Sequence, residues 1–124
     1  FRVSKTSWTS NLKKSQLIYM SNNETFGSII KGDKPVLVDF FATWCGPCKM
    51  MPPILEKVHQ QMGEQVRIIK IDVDRNQQLA TELNVSSVPT LAIFKNGEIK
   101  WRQPGVQQAG ALVDLLKQYI DLPK

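Results

Sequence analysis

The stretch Val36-Leu37-Val38-Asp39-Phe40-Phe41-Ala42 constrains the fold more than any other part of the chain. A strand with one face in water alternates apolar and polar residues. A run that is apolar at both parities reads instead as a strand covered on both faces, as in a parallel or mixed sheet with helices on each side. Val66-Arg67-Ile68-Ile69-Lys70-Ile71-Asp72-Val73 and Val88-Pro89-Thr90-Leu91-Ala92-Ile93-Phe94 read as the second and third central strands. Pro89 suits a first strand position, where its missing N–H removes little from the ladder. Asn96-Gly97 is a two-residue hairpin signal, so residues 98–103 return antiparallel.

Helical periods fill the intervals. In 47–62, Met51, Ile54, Leu55, Val58 and Met62 recur at three- and four-residue steps. Pro53 is expected to kink this helix, because it has no N–H to bond back to residue 49. Further helices are expected at about 76–83 and 107–120. The last gathers Leu112, Val113, Leu115, Leu116, Tyr119 and Ile120 on one broad face. Upstream, Leu17-Ile18-Tyr19-Met20 is a short strand candidate. Ser21 and Glu24 form an S-x-x-E capping box, opening a helix that runs to about Lys31 and stops at Gly32. The order β-α-β-α-β-α-β-β-α, with right-handed crossovers, predicts a three-layer α/β/α domain with a central mixed β-sheet flanked by helices.

Composition narrows the function. The chain has 124 residues, enough for one domain, and a net charge of +5. Residues 1–20 carry Arg2, Lys5, Lys13 and Lys14 and no acid, so the remainder is close to neutral. A nucleic-acid partner is therefore not expected, since it calls for a basic face on the folded part. No apolar run approaches the ~18 residues of a membrane span. Residues 1–16 are read as a basic N-terminal extension, with Trp8 in a solvated segment, and 17–124 as the domain. The chain opens on Phe1 rather than Met, which suggests processing or truncation. Removal of a leader is one source of such a tail, and Met20 as the natural start is another.

Chemistry concentrates in Ala42-Thr43-Trp44-Cys45-Gly46-Pro47-Cys48-Lys49, where a buried strand ends and a helix begins. Cys45 and Cys48 are the two cysteines of the chain. With His59 as the sole histidine, a tetrahedral zinc site lacks ligands. No metal or cofactor is expected. Residues three apart on a helix are neighbours at roughly 5–6 Å between Cβ atoms, which suits disulfide closure. Cys45, at the helix start, is expected to be exposed and acidic, and Cys48, one turn in, shielded. The first sulfur then attacks a substrate disulfide and the second resolves the mixed disulfide. The rival reading is a structural staple, but closing a loop of about four residues stabilises by only roughly 2 kcal/mol.

Asp39 interrupts the central strand on the face opposite Val38 and Phe40. A buried carboxylate must be paired or protonated. Lys70 occupies the matching place in the next strand, so an Asp39–Lys70 pair is expected. The functional reading gives Asp39 the Cys48 proton during resolution, and the rival reading is a structural ion pair. Trp44 is read as an exposed substrate platform. Provided the Val88-Pro89 loop faces the cysteines, the Val88 backbone can bond an extended substrate as an added strand. His59 is read as a surface or boundary residue, and Met50 and Met51 as packing residues. Trp101 receives no role.

These residues together resemble the thioredoxin family. The resemblance spans about residues 17–121 and rests on Trp44-Cys45-Gly46-Pro47-Cys48-Lys49, Val36-Leu37-Val38-Asp39-Phe40, Pro53, Lys70-Ile71-Asp72-Val73-Asp74, Val88-Pro89-Thr90, Phe94-Lys95-Asn96-Gly97 and Gly105. It implies a thioredoxin fold, a cis peptide before Pro89 and a buried Asp39. It also implies a substrate surface at Trp44, Gly46, Pro47, Val88, Pro89 and Gly105. Protein disulfides would be the substrates, and an NADPH-dependent thioredoxin reductase would restore the dithiol. Phe41 departs from the family, many members of which carry a second tryptophan there. Pro52 adds a proline before Pro53. The expected protein is a monomeric, cytoplasmic protein-disulfide reductase. The alternatives are a dedicated reductase in the periplasm or cell envelope after leader removal, and a partner-binding subunit whose thiols are incidental.

Overall fold

The continuous apolar run forms the centre of the sheet. In the computed structural model, which describes residues 25–120, β1 (Val36–Phe41) is buried along its whole length. The expected strand at Leu17–Met20, the Ser21/Glu24 capping box and the basic extension lie outside the described residues. β2 (Arg67–Asp72) pairs parallel with β1, and β3 (Thr90–Lys95) pairs antiparallel on the other side. β4 (Glu98–Pro104) closes the order β2-β1-β3-β4. The β3–β4 turn is the expected hairpin: Asn96 and Gly97 have φ of 55° and 81°, the positive pair that matches strand twist in a two-residue loop. One register shift follows, because Ile93 pairs with Trp101 and Phe94 with Ile99, which leaves Lys100 as the bulged residue.

Helices cover both faces. On one, α2 (Met51–Met62) and α4 (Ala109–Lys117) pack Leu55, Val58, Leu112 and Leu116 on Leu37, Ile68, Leu91 and Ile93. Trp101, half-buried, packs against the same cluster. On the other face, α1 (Phe26–Ile30) buries Phe26, Ile29 and Ile30 with Val38, Phe40, Ile69 and Phe94, and α3 (Gln77–Glu82) closes that side with the flanking Leu83 and Val85. The Phe26 and Phe94 rings meet edge to face with centroids 5.1 Å apart. Alternation along β1 sends Leu37, Asp39 and Phe41 to the α2/α4 side and Val36, Val38 and Phe40 to the other.

Two expectations are corrected. The first helix does not run through Thr25, which is extended at φ −107° and ψ 160°. Thr25 is itself the N-cap: the Ser28 N–H donates to Thr25 Oγ1 at 3.1 Å, and the Thr25 N–H donates to Ser28 Oγ at 3.2 Å. A reciprocal cap lying immediately before the apolar residues fixes the start there. Pro53 does not kink a continuous helix. Residues Pro47–Met50 form a separate 3₁₀ turn, and α2 begins at Met51. Pro52 and Pro53 therefore fall in its first turn, where the N–H that proline lacks has no helical partner to lose.

Candidate active site

The end of β1 delivers the cysteines. After Ala42 the chain turns, with the Cys45 N–H donating to the Ala42 carbonyl at 3.2 Å. Gly46 then caps the 3₁₀ turn and Pro47 opens it, a position that suits its fixed φ. Cys45 and Cys48 are joined as a disulfide, their Cα atoms 5.4 Å apart. The Cys48 N–H donates to Cys45 Sγ at 3.2 Å. A free N–H of the first helical turn thus points at the leading sulfur, as the sequence position predicts.

The expected exposure of Cys45 is not found. Cys45 is 3 % exposed and Cys48 4 %. Both pack with Phe41 and Ala42, and Val73 and Val88 lie against them. Cys45 lies in this apolar cluster, with the loop that carries Val88 packed against it. The surface of the site belongs to its neighbours: Trp44 is 71 % exposed, and Gly46, Pro47, Lys49 and Met50 are exposed as well.

The loop before β3 faces the disulfide. The Val88–Pro89 bond is cis, as the resemblance implies. The Val88 carbonyl oxygen lies 3.6 Å from Cys45 Sγ. Gly105 joins the same surface, since its N–H donates to the Pro89 carbonyl at 2.7 Å. At φ 92° Gly105 sits in backbone space that a side chain would strain.

Asp39 and Lys70 are register partners on β1 and β2. Asp39 is fully buried, and among the described residues neither of its carboxylate oxygens has a hydrogen-bond partner. Burial pushes its pKa up from 3.8 to about 7, and the nearby Lys70 charge opposes that rise. Burial also lowers the Lys70 pKa, with Asp39 opposing. The Lys70 ammonium lies 4.6 Å from the centre of the Phe41 ring. Phe41 belongs to the cysteine cluster, so an unbroken patch of side chains leads from the Asp39–Lys70 pair to the disulfide.

The sequence reading missed Asp74. Its Oδ2 accepts the Trp44 indole N–H at 2.8 Å, tethering the exposed ring. Asp72 ends β2 beside Phe41 at the end of β1, which places Asp74 near the residues that lead to Cys45. Asp72 itself is buried and accepts the Asp74 N–H at 2.9 Å, shaping the turn that presents Asp74. His59 is half-buried, as expected of a boundary residue. Among the described residues no group of His, Cys, Asp and Glu is arranged to hold a metal, and no helix is long and apolar enough to cross a membrane.

A cysteine pair at the mouth of a helix, faced by a cis-proline loop on a mixed four-stranded sheet, defines a dithiol–disulfide oxidoreductase. The thioredoxin family model matches residues 17–118, and the chain belongs to that family. It is 46 % identical to the thioredoxin of Bacillus subtilis over 85 residues, covering 68 % of this chain and 82 % of the relative. It is 40 % identical to that of Rickettsia felis over 105 residues, 82 % of this chain and all of the relative. Among solved structures, a mutant thioredoxin from Halobacterium salinarum superposes with a TM-score of 0.75 at 37 % identity, covering 89 % of this chain and 96 % of the other. Oxidised mitochondrial thioredoxin 3 of Saccharomyces cerevisiae does so at 0.67 and 39 % identity, covering 75 % and 86 %. The protein is a thioredoxin-type disulfide reductase that acts on protein disulfides, and its fold is the thioredoxin fold.

Proposed function

We propose that Cys45 is the attacking thiol and Cys48 the resolving one, and that the form described above is the oxidised end of the cycle. The observation that carries this division is the Cys48 N–H directed at Cys45 Sγ. A donor aimed at the sulfur favours its thiolate. In the reduced protein the Cys45 thiolate attacks a substrate disulfide, forming a mixed disulfide and releasing one substrate thiolate. Cys48, deprotonated, attacks Cys45 Sγ, forms the Cys45–Cys48 bond and releases the second substrate thiolate. The substrate gains two electrons and the protein loses two.

Asp39 takes the Cys48 proton, with Lys70 tuning its affinity. A carboxyl whose pKa lies near neutrality is matched to accepting a proton at cellular pH. Substrate docks on Trp44, Gly46, Pro47, Val88, Pro89 and Gly105, with the Val88 backbone adding the substrate as a short strand. Two electrons from NADPH, delivered by a flavin-containing thioredoxin reductase, restore the dithiol. The protein works as a monomer in the cytoplasm, and residues 1–16 extend from a domain spanning 17–124. The family match over residues 17–118 supports that boundary.

The test is a coupled assay with NADPH, a thioredoxin reductase and a disulfide-bonded protein substrate. NADPH oxidation should depend on this protein and stop with Cys45→Ser. A reduction potential in or above the glutaredoxin range of roughly −200 to −230 mV would argue for oxidase or isomerase duty instead. Recovery of the native protein in an envelope fraction would overturn the cytoplasmic assignment.

A further inference from the structure

The α3–β3 connection carries the Val88 carbonyl, and an arginine from a different element holds its base. Just past the end of α3, Asn84 has φ 57°. The Val85 N–H donates to the Ala80 carbonyl at 2.9 Å and the Asn84 N–H to the Thr81 carbonyl at 3.1 Å. This double bond pattern satisfies the inner carbonyls of the helix end. Further along, Arg102 takes two more: Nη1 donates to the Leu83 carbonyl at 2.6 Å and Nη2 to the Asn84 carbonyl at 2.9 Å. Arg102 lies on β4 opposite Ala92, on the face that α3 covers. Five residues beyond Asn84 comes cis-Pro89. At that far end Thr90 Oγ1 donates to the Ser87 carbonyl at 2.7 Å, and the Gly105 N–H to the Pro89 carbonyl at 2.7 Å. The short loop is thus fixed at both ends, and at both ends β4 or the residue that follows it supplies a donor.

We propose that Arg102 is a positioning residue for substrate: its guanidinium, forked across the Leu83 and Asn84 carbonyls, holds the 85–89 loop where the Val88 backbone can pair with an extended substrate. The inference rests on the reading that Val88 docks substrate. A fork on two consecutive carbonyls fixes the orientation of both peptide planes, 83–84 and 84–85, relative to each other and to β4. A lysine, a compact point charge on a flexible stem, offers no such rigid fork. Because the loop past Asn84 is short, a change of tilt at its base is carried to Val88. Arg102 touches neither sulfur, so the reactivity of Cys45 toward a disulfide that lacks a peptide backbone does not depend on it.

The experiment uses a disulfide-bonded peptide and versions N-methylated in turn at the reacting cysteine and at each neighbour. Full-length wild type, Arg102→Gln and Arg102→Lys are compared. In wild type, the N-methyl group that removes the donor to Val88 should lower kcat/KM by about tenfold, the scale of one hydrogen bond. Arg102→Gln should lower kcat/KM for the unmethylated peptide by about fivefold and shrink the methylation penalty below about threefold, with Arg102→Lys between. An aromatic disulfide without a peptide backbone should react with all three within about twofold. A core variant remote from the loop, Val113→Ala, serves as the stability control and should keep the full penalty. A penalty undiminished in Arg102→Gln overturns the role of Arg102 while leaving Val88 docking intact. A wild-type penalty absent at every methylated position overturns the docking reading and this inference with it. Equal losses with peptide and aromatic disulfide, or a penalty lost in Val113→Ala too, show a general disturbance and refute the positioning role.

Discussion

Asp39 and Lys70 face each other across the parallel strands β1 and β2, yet neither Asp39 carboxylate oxygen is hydrogen-bonded among the described residues. For Asp39 the loss of solvation outweighs the attraction of Lys70, because burial is the larger influence on its pKa. The folded carboxyl holds its proton up to about pH 7, whereas the unfolded chain releases it near 3.8. The stability this affinity confers is full below about pH 4 and is lost as pH rises to about 7. At 1.36 kcal/mol per pH unit of displacement, the loss is roughly 4 kcal/mol. Asp39→Asn should remove this dependence. At pH 8 the variant should be more stable by roughly 4 kcal/mol, because the attraction of Lys70 is already contained in the Asp39 shift. At pH 4 the two proteins should be nearly equal. Urea unfolding at both pH values checks this, and parallel stability profiles would refute it.

The same pair sets a kinetic expectation. With Asp39 as acceptor of the Cys48 proton, the resolution step should rise through a midpoint near pH 7. Asp39→Asn should slow it about 100-fold at neutral pH, the lower end of general-base contributions. Because the Lys70 charge holds the Asp39 value down, Lys70→Met should move the midpoint upward. Stopped-flow decay of a preformed mixed disulfide, followed against pH, reads both effects. A midpoint that stays put in Lys70→Met would exclude the coupling.

Much of this arrangement was legible because burial leaves strong marks in sequence. A strand covered on both faces is apolar at both parities, so the one acid in Val36–Ala42 stood out, and its partner Lys70 followed from the matching place in the next strand. Asn96-Gly97 fixed the hairpin for a backbone reason, since few residues accept two positive φ values in succession. What stayed hidden depends on tertiary contacts. The burial of Cys45 comes from Val88 folding over it from a distant loop. The tether from Asp74 to Trp44 and the Arg102 fork join residues 30 and 18–19 positions apart, and local periodicity carries no trace of either. The break at Met51 is not visible in sequence, because proline blocks a helix interior but suits a first turn, and only the preceding 3₁₀ turn decides which applies.

Removing one sulfur at a time should separate the two steps. Cys45→Ser should abolish turnover, since Cys48 lacks the helix-start donor that reaches Cys45 Sγ. Cys48→Ser should still form the first bond and then stall as a covalent complex, because a serine hydroxyl does not displace a thiolate here. Non-reducing electrophoresis after incubation with a disulfide-bonded protein should show the conjugate with Cys48→Ser alone, and dithiothreitol should dissolve it. A conjugate formed equally by Cys45→Ser would reverse the assignment of roles.

The tether between Trp44 and Asp74 predicts how the platform works. An indole exposed at 71 % gains little from burial, so its place beside Cys45 depends on the single hydrogen bond to Asp74 Oδ2 at 2.8 Å. Trp44→Phe keeps the aromatic face but loses the donor, and Asp74→Ala keeps the indole but loses the acceptor. Each should lower kcat/KM for protein substrates about fivefold, the equivalent of about 1 kcal/mol for one such bond, because the ring must then be ordered at the moment of docking. The double variant should be no worse than either alone, as the two residues act through one bond. Asp74→Asn, which retains an acceptor oxygen, should recover most of the activity. Reduction of an aromatic disulfide, too small to use the platform, should change little in all four. Additive losses in the double variant would mean that Trp44 and Asp74 serve substrate independently, and the tether would have no part in docking.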